Sequence, residues 1–109
     1  MTKIGVYGTL KKGEANHHIL KNCEYLGDRI LQNVAITDRS GFPFAFKKKG
    51  YRTMVEVYKV NQSTLETIDY LEGHPDWYKR EKIDGIWVYL NERSAKGFKL
   101  LQGDGVWHS

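Results

Sequence analysis

Glu72 is the residue of this 109-residue chain with the strongest claim to chemistry. It closes the stretch S-T-L-E-T-I-D-Y-L-E, in which Ser63 and Glu66 are spaced as a capping box that opens a helix. Leu65, Ile68 and Leu71 give that helix an apolar stripe, and Gly73 with Pro75 behind it is a stop signal. At about 100° per residue, Glu72 falls roughly 20° from Leu65 and about 40° from Ile68 around the axis. A carboxylate is thereby aimed along the side due for burial, while Glu66 and Asp69 are expected to meet water. Burial without a cation makes a carboxyl harder to ionise and lifts its pKa toward the range of a general base. A final-turn residue splayed into solvent is the alternative that helical geometry leaves open.

A second group lies near the start. Tyr7, Gly8, Thr9 and Leu10 follow a strand-like run from Lys3, and Lys11, Lys12 and Gly13 complete the loop. Consecutive backbone amides in a turn after a strand can form an anion-binding concavity that suits a carboxylate or phosphate, although a plain surface turn carries the same signature. His17 and His18 are adjacent, so on a helix they point about 100° apart and do not readily share one ion. No metal is expected. Cys23 is the single cysteine. It excludes an internal disulfide, fits a reducing compartment and is expected to pack as a small hydrophobe.

These residues need a scaffold. The length suits one domain, residues 1–109, with one modest core. Hydrophobic residues at 40% and charged residues at 28% are ordinary for a globular protein and give no indication of disorder. The apolar runs are too short for a bilayer, and M-T-K-I-G-V-Y-G has no signal-peptide apolar region, so no membrane partner and a cytoplasmic location are expected. The net charge of +4 is spread along the chain. Lys47, Lys48 and Lys49 are followed by Gly50 and read as a solvated hairpin tip. No aromatic strand of the RNA-binding type accompanies them, so nucleic acid is not an expected partner.

Strands are expected over 3–7, 24–37, 42–46, 51–60, 77–83 and 86–90, with a last candidate over 98–101. A brief helix with Asn16 as its N-cap is expected through Asn22, with Ile19 and Leu20 facing inward, and a polar loop over 91–97. Pro43 suits an edge or a pocket wall, and Asp84-Gly85 is a hairpin turn. Along 51–60, Met54, Tyr58 and Val60 share one face with Glu56, and Val55 and Val57 share the other. Apolar residues on both faces suggest a closed or nearly closed sheet. The expected fold class is α+β, a small mixed β-barrel of about six strands with short flanking helices.

Read together, V-Y-G-T-L-K-K-G-E-A-N-H and I-D-Y-L-E-G-H-P-D-W-Y-K-R resemble the gamma-glutamylcyclotransferase-like family. The likeness is greatest to its small AIG2-like members, which include gamma-glutamylamine cyclotransferase, and M-V-E-V-Y-K-V before the helix also matches. The resemblance implies a mixed β-barrel flanked by helices. It implies that the amides of Tyr7, Gly8, Thr9 and Leu10 hold a substrate carboxylate, that Glu72 is the catalytic acid/base and that Tyr78 is a pocket wall. The reaction it implies is internal to a small gamma-glutamyl substrate. The α-amine attacks its own γ-carbonyl, closes 5-oxoproline and expels an amine, with neither metal nor organic cofactor required. One position departs from the family. Many members have Gly before the Glu of the central strand, and Val55 here is expected to narrow the pocket or shift the backbone.

Two other classes compete with this reading. One is a non-catalytic binding module for a small carboxylate ligand, favoured mildly by Val55 and opposed by Glu72, since a carboxylate binder gains nothing from a facing carboxylate. The other is a nucleic-acid binder using Lys11, Lys12 and Lys47 to Lys49, which steep salt dependence would betray. The sequence specifies neither the amine that leaves nor the oligomeric state.

Overall fold

Alternating apolar residues in Ile4, Val6, Tyr58, Val60, Ile86 and Val88 build a sheet that is buried on both faces. The computed structural model describes residues 1–93 and 97–109, so part of the polar loop expected over 91–97 lies outside the described residues. The strands are β1 (Thr2–Val6), β2 (Glu24–Ile36), β3 (Ala45–Val60), β4 (Lys79–Ile83) and β5 (Ile86–Leu90). They form one mixed sheet in the order β2-β3-β1-β5-β4. β1 is central. It runs antiparallel to β3, with Ile4 opposite Tyr58, and parallel to β5, with Ile4 opposite Trp87. Asp84 and Gly85 take φ of 52° and 81° between β4 and β5, as a tight hairpin turn requires.

The sheet is not the six-stranded barrel expected. Residues 42–44 are not strand, and the segments expected over 42–46 and 51–60 are joined in the single strand β3. The lysine run is therefore no hairpin tip. It lies inside β3, opposite a register shift between Gln32 and Val34, where the Gly50 amide donates to Asn33 Oδ1 at 3.2 Å. The signal read as a turn is a bulge. Residues 98–101 supply only an isolated bridge between Thr37 and Leu100. β2 and β4 remain edges. Side chains reach the β4–β5 hairpin from the other end of the sheet instead of a ladder, Lys47 of β3 on Glu81 at 2.8 Å and Arg29 of β2 on the Asp84 carbonyl at 3.1 Å. Apolar residues on both faces of β3 reflect two covered faces and not a barrel wall.

Each face has its own core. Ile4, Val6, Tyr58 and Val60 pack with Leu65 and Ile68 of α1 (Gln62–Glu72), and Cys23, partly buried, packs against this cluster. On the other face Val55 and Val57 pack with Leu31, Ile86, Val88 and Trp107. The brief helix expected between the Asn16 cap and Asn22 is a 3-10 turn over His17–Leu20, with Leu20 buried and no capping bond from the Asn16 side chain.

α1 begins two residues earlier than its capping-box spacing indicates. Asn61 is the N-cap and accepts the Thr64 amide at 2.8 Å, so Ser63 already lies inside the helix. Gly73 closes it at φ 64°, the left-handed conformation that the sequence signal anticipates. Leu71 does not continue the buried stripe and is 42% exposed. Leu65, Ile68 and Glu72 do, at i, i+3 and i+7.

Candidate active site

Past Gly73 the chain folds back onto the end of α1. The His74 amide donates to the Asp69 carbonyl at 2.9 Å, Trp77 to the Gly73 carbonyl at 2.8 Å, and Tyr78 to the Glu72 carbonyl at 3.1 Å. This return sets Trp77 and Tyr78 beside Glu72. The loop leaving β1 comes from the middle of the sheet and meets them. Tyr7, Gly8, Thr9, Leu10, Glu72 and Tyr78 all line one cavity of about 390 Å³. Two segments far apart in sequence thus share a single hollow.

Glu72 is partly buried, and among the described residues its carboxylate has neither a hydrogen-bond donor nor an ion-pair partner. Burial pushes its pKa up to about 7. The outward-splayed alternative therefore does not describe this side chain. In the loop, the Lys11 amide donates to the Gly8 carbonyl and the Lys12 amide to Glu56 Oε1, whereas the amides of Gly8, Thr9 and Leu10 have no acceptor among the described residues. A glycine is needed at position 8, because a Cβ there would stand 2.8 Å from Pro43 Cδ.

Neither loop lysine lines the cavity. Lys11 is buried and donates from Nζ to the Trp107 carbonyl, and Lys12 lies 3.3 Å from the Tyr25 ring centroid. His17 Nδ1 donates to the Leu10 carbonyl at 2.9 Å, supporting the loop from behind. No group of three His, Cys, Asp or Glu with metal-binding geometry is found among the described residues.

Tyrosine hydroxyls ring the site, and each is already committed. Tyr78 donates to the Pro43 carbonyl at 2.7 Å, Tyr7 to the Tyr89 carbonyl, and Tyr89 to Asp69 Oδ1 at 2.5 Å. Burial is the main cause that pushes all three above the usual tyrosine range. Tyr78 is thus a wall whose hydroxyl holds the loop at Pro43.

Val55 is fully buried in the second core and does not line the cavity, so the narrowing expected of it does not occur. Asp69, expected in water, is partly buried and takes two hydrogen bonds from Arg80, at 2.9 and 3.1 Å, as well as the one from Tyr89. Asn16 and Tyr89, which the sequence reading passed over, also line the cavity, and Asn16 donates to Thr9 Oγ1 at 3.0 Å. Asn16 was legible only as a cap. Tyr89 had the look of an ordinary strand residue.

Residues 4–109 match the family described as gamma-glutamyl cyclotransferase, AIG2-like. The chain belongs to this family. A Methanocaldococcus jannaschii member, provisionally named a gamma-glutamylcyclotransferase, is 34% identical over 115 residues covering 95% of each chain. Gamma-glutamylaminecyclotransferase C of Danio rerio is 36% identical over 90 residues, covering 73% of this chain and 59% of its own. The solved structure of a Pyrococcus horikoshii protein superposes with a TM-score of 0.83 at 28% identity, over 96% of this chain and 89% of its own. The two chains therefore share a fold over nearly the whole of this one.

Proposed function

We propose that the chain is a cofactor-independent enzyme that cyclises gamma-glutamyl compounds to 5-oxoproline and a free amine. The observation that supports this reading is Glu72, a carboxylate unpaired among the described residues with its pKa lifted to about 7, in the same cavity as the amides of Gly8, Thr9 and Leu10, which have no acceptor among them.

The loop amides, with Tyr7 behind them, receive the substrate α-carboxylate and so place the neighbouring α-amine. Glu72 removes a proton from the ammonium. The amine nitrogen then bonds to the γ-carbon and gives up a second proton as the ring closes, the bond from that carbon to the departing nitrogen breaks, and that nitrogen gains both protons, one of them returned by Glu72, and leaves as an ammonium. Donors and acceptors balance, with no outside reactant. Negative charge develops on the carbonyl oxygen, and the donors left for it are loop amides and the second N–H of Asn16, since the three tyrosine hydroxyls are committed. Tyr78 acts as a wall. Val55, outside the cavity, sets no limit on the substrate.

The reading places the protein in the cytoplasm, where Cys23 remains a thiol. No helix among the described residues is long and apolar enough to cross a membrane. The deciding experiment is release of 5-oxoproline from several gamma-glutamyl compounds by the parent and by Glu72→Gln. Retained binding of 5-oxoproline by calorimetry with turnover reduced at least about a hundredfold is the expected result. Turnover near the parent rate removes Glu72 from the reaction. Tight binding without turnover in the parent favours the carboxylate-binding module.

A further inference from the structure

Phe42, Leu71 and Trp77 line the cavity yet are 40%, 42% and 50% exposed, whereas Leu10 and Tyr78 in the same lining are 3% and 5% exposed. The first three therefore form the mouth and the last two the interior. On the cyclisation reading, the glutamyl half of the substrate lies inside against the loop and Glu72. The leaving amine then points outward, and whatever it carries meets the mouth. That mouth is apolar, and among the described residues no Lys, Arg or His side chain lines the cavity.

Arg39 stands beside it. Its guanidinium carbon is 4.2 Å from the Phe42 ring centroid, 5.4 Å from that of Phe44 and 5.5 Å from that of Phe98. Nη1 donates to the Phe42 carbonyl at 3.1 Å, and the indole of the buried Trp107 donates to the Arg39 carbonyl at 2.7 Å. Backbone and side chain are thus both anchored. A guanidinium offers five N–H donors, and the Nε and Nη2 donors of Arg39 have no acceptor among the described residues. It forms no ion pair there either, although Arg80 and Arg52 both do. An aromatic shelf that fixes a cation while leaving its fork free is suited to a carboxylate arriving from solution. The Arg39 charge also pulls against the burial and the Glu72 charge that raise the Tyr78 hydroxyl, so it acts on the cavity wall.

We propose that Arg39 is a specificity-determining residue that receives a carboxylate on the leaving amine, which selects gamma-glutamyl derivatives of amino acids over those of simple amines. The assignment rests on the cyclisation reading and adds the substrate class to it. An ion pair at a half-buried, solvent-facing mouth adds binding without taking part in the bond changes, so it acts on substrate preference.

The test pairs gamma-glutamylalanine with gamma-glutamylethylamine, which differ only in the carboxylate of the leaving part, and reads the ratio of their kcat/KM values. The parent is expected to favour the first. In Arg39→Gln that ratio should fall by about ten- to a hundredfold, with Arg39→Lys in between. A ratio unchanged in Arg39→Gln overturns the assignment, including the case where both substrates lose equally because Arg39 serves the glutamyl half or the fold. Failure of the parent to turn over either compound takes down the cyclisation reading, and the assignment with it.

Discussion

Asp69 lies one helical turn before Glu72 and accepts the hydroxyl of Tyr89 at 2.5 Å. The main-chain carbonyl of Tyr89 in turn accepts the hydroxyl of Tyr7, which heads the loop from β1. One strand residue therefore holds the two segments that make the site, gripping α1 with its side chain and the loop with its backbone. Arg80 completes the hold on Asp69 from β4. Burial acts against the Asp69 charge, but the hydrogen bonds from Arg80 and Tyr89 outweigh it and keep the carboxyl below its ordinary pKa.

Removing that grip should be measurable. Tyr89→Phe keeps the ring and deletes the donor to a charged acceptor, and is expected to lower stability by about 1 to 3 kcal/mol. Urea unfolding at neutral pH reads the change. A midpoint equal to that of the parent would show that Arg80 alone holds Asp69.

The pH dependence of turnover should carry the mark of Glu72. A base with a pKa of about 7 is protonated below that value. The kcat/KM profile is therefore expected to fall about tenfold per pH unit on its acid side, breaking near 7. An acid limb that breaks near 4 instead would assign the base to an ordinary exposed carboxyl.

Stability should respond in a defined direction to the same residue. The folded pKa of Glu72, about 7, stands above its ordinary value of 4.5, so the folded state binds the proton more tightly than the unfolded chain. Its ionisation penalty is absent below pH 4.5, grows as pH rises from there and is complete above about 7. Glu72→Gln should therefore gain stability relative to the parent at pH 8, by up to about 3 kcal/mol, and little or none at pH 4. Unfolding curves at the two pH values provide the comparison, and an equal effect at both would contradict the buried, unpaired carboxylate.

Gly8→Ala tests the approach of the two loops. The added methyl would meet Pro43 at 2.8 Å, and Pro43 carries the carbonyl that Tyr78 grips. The expected outcome is a KM raised by about tenfold or more through a displaced loop, at a stability cost of about 1 to 3 kcal/mol. A parent-like KM would mean that the loop amides do not hold the substrate.

Much of this architecture is readable in the residues because its signals are local. The Gly73 stop and the Asp84-Gly85 turn depend on backbone conformations that few residues adopt cheaply, and both stand where the sequence places them. The inward aim of Glu72 follows from helical periodicity. What periodicity does not carry is pairing at a distance. Gly50 signals a break equally well whether the chain reverses or bulges, and only Asn33 across the ladder distinguishes the two. Asp69 sits on the flank of the helix that points to water in isolation, and it is drawn in by Arg80 and Tyr89, whose positions depend on how β4 and β5 dock. The barrel expectation failed for a similar reason, since two-sided burial is a property of a strand and closure is a property of the whole sheet.

Trp107 accepts Lys11 Nζ at its carbonyl and gives its indole N–H to the carbonyl of Arg39. The loop after β1 and the segment bearing Arg39 are thereby buckled to one residue that itself lies in the opposite core. Whatever disturbs that core, even on the side of the sheet remote from any ligand, slackens both flanks of the hollow together. Packing behind the sheet is in this way geared to the width of the entrance in front of it.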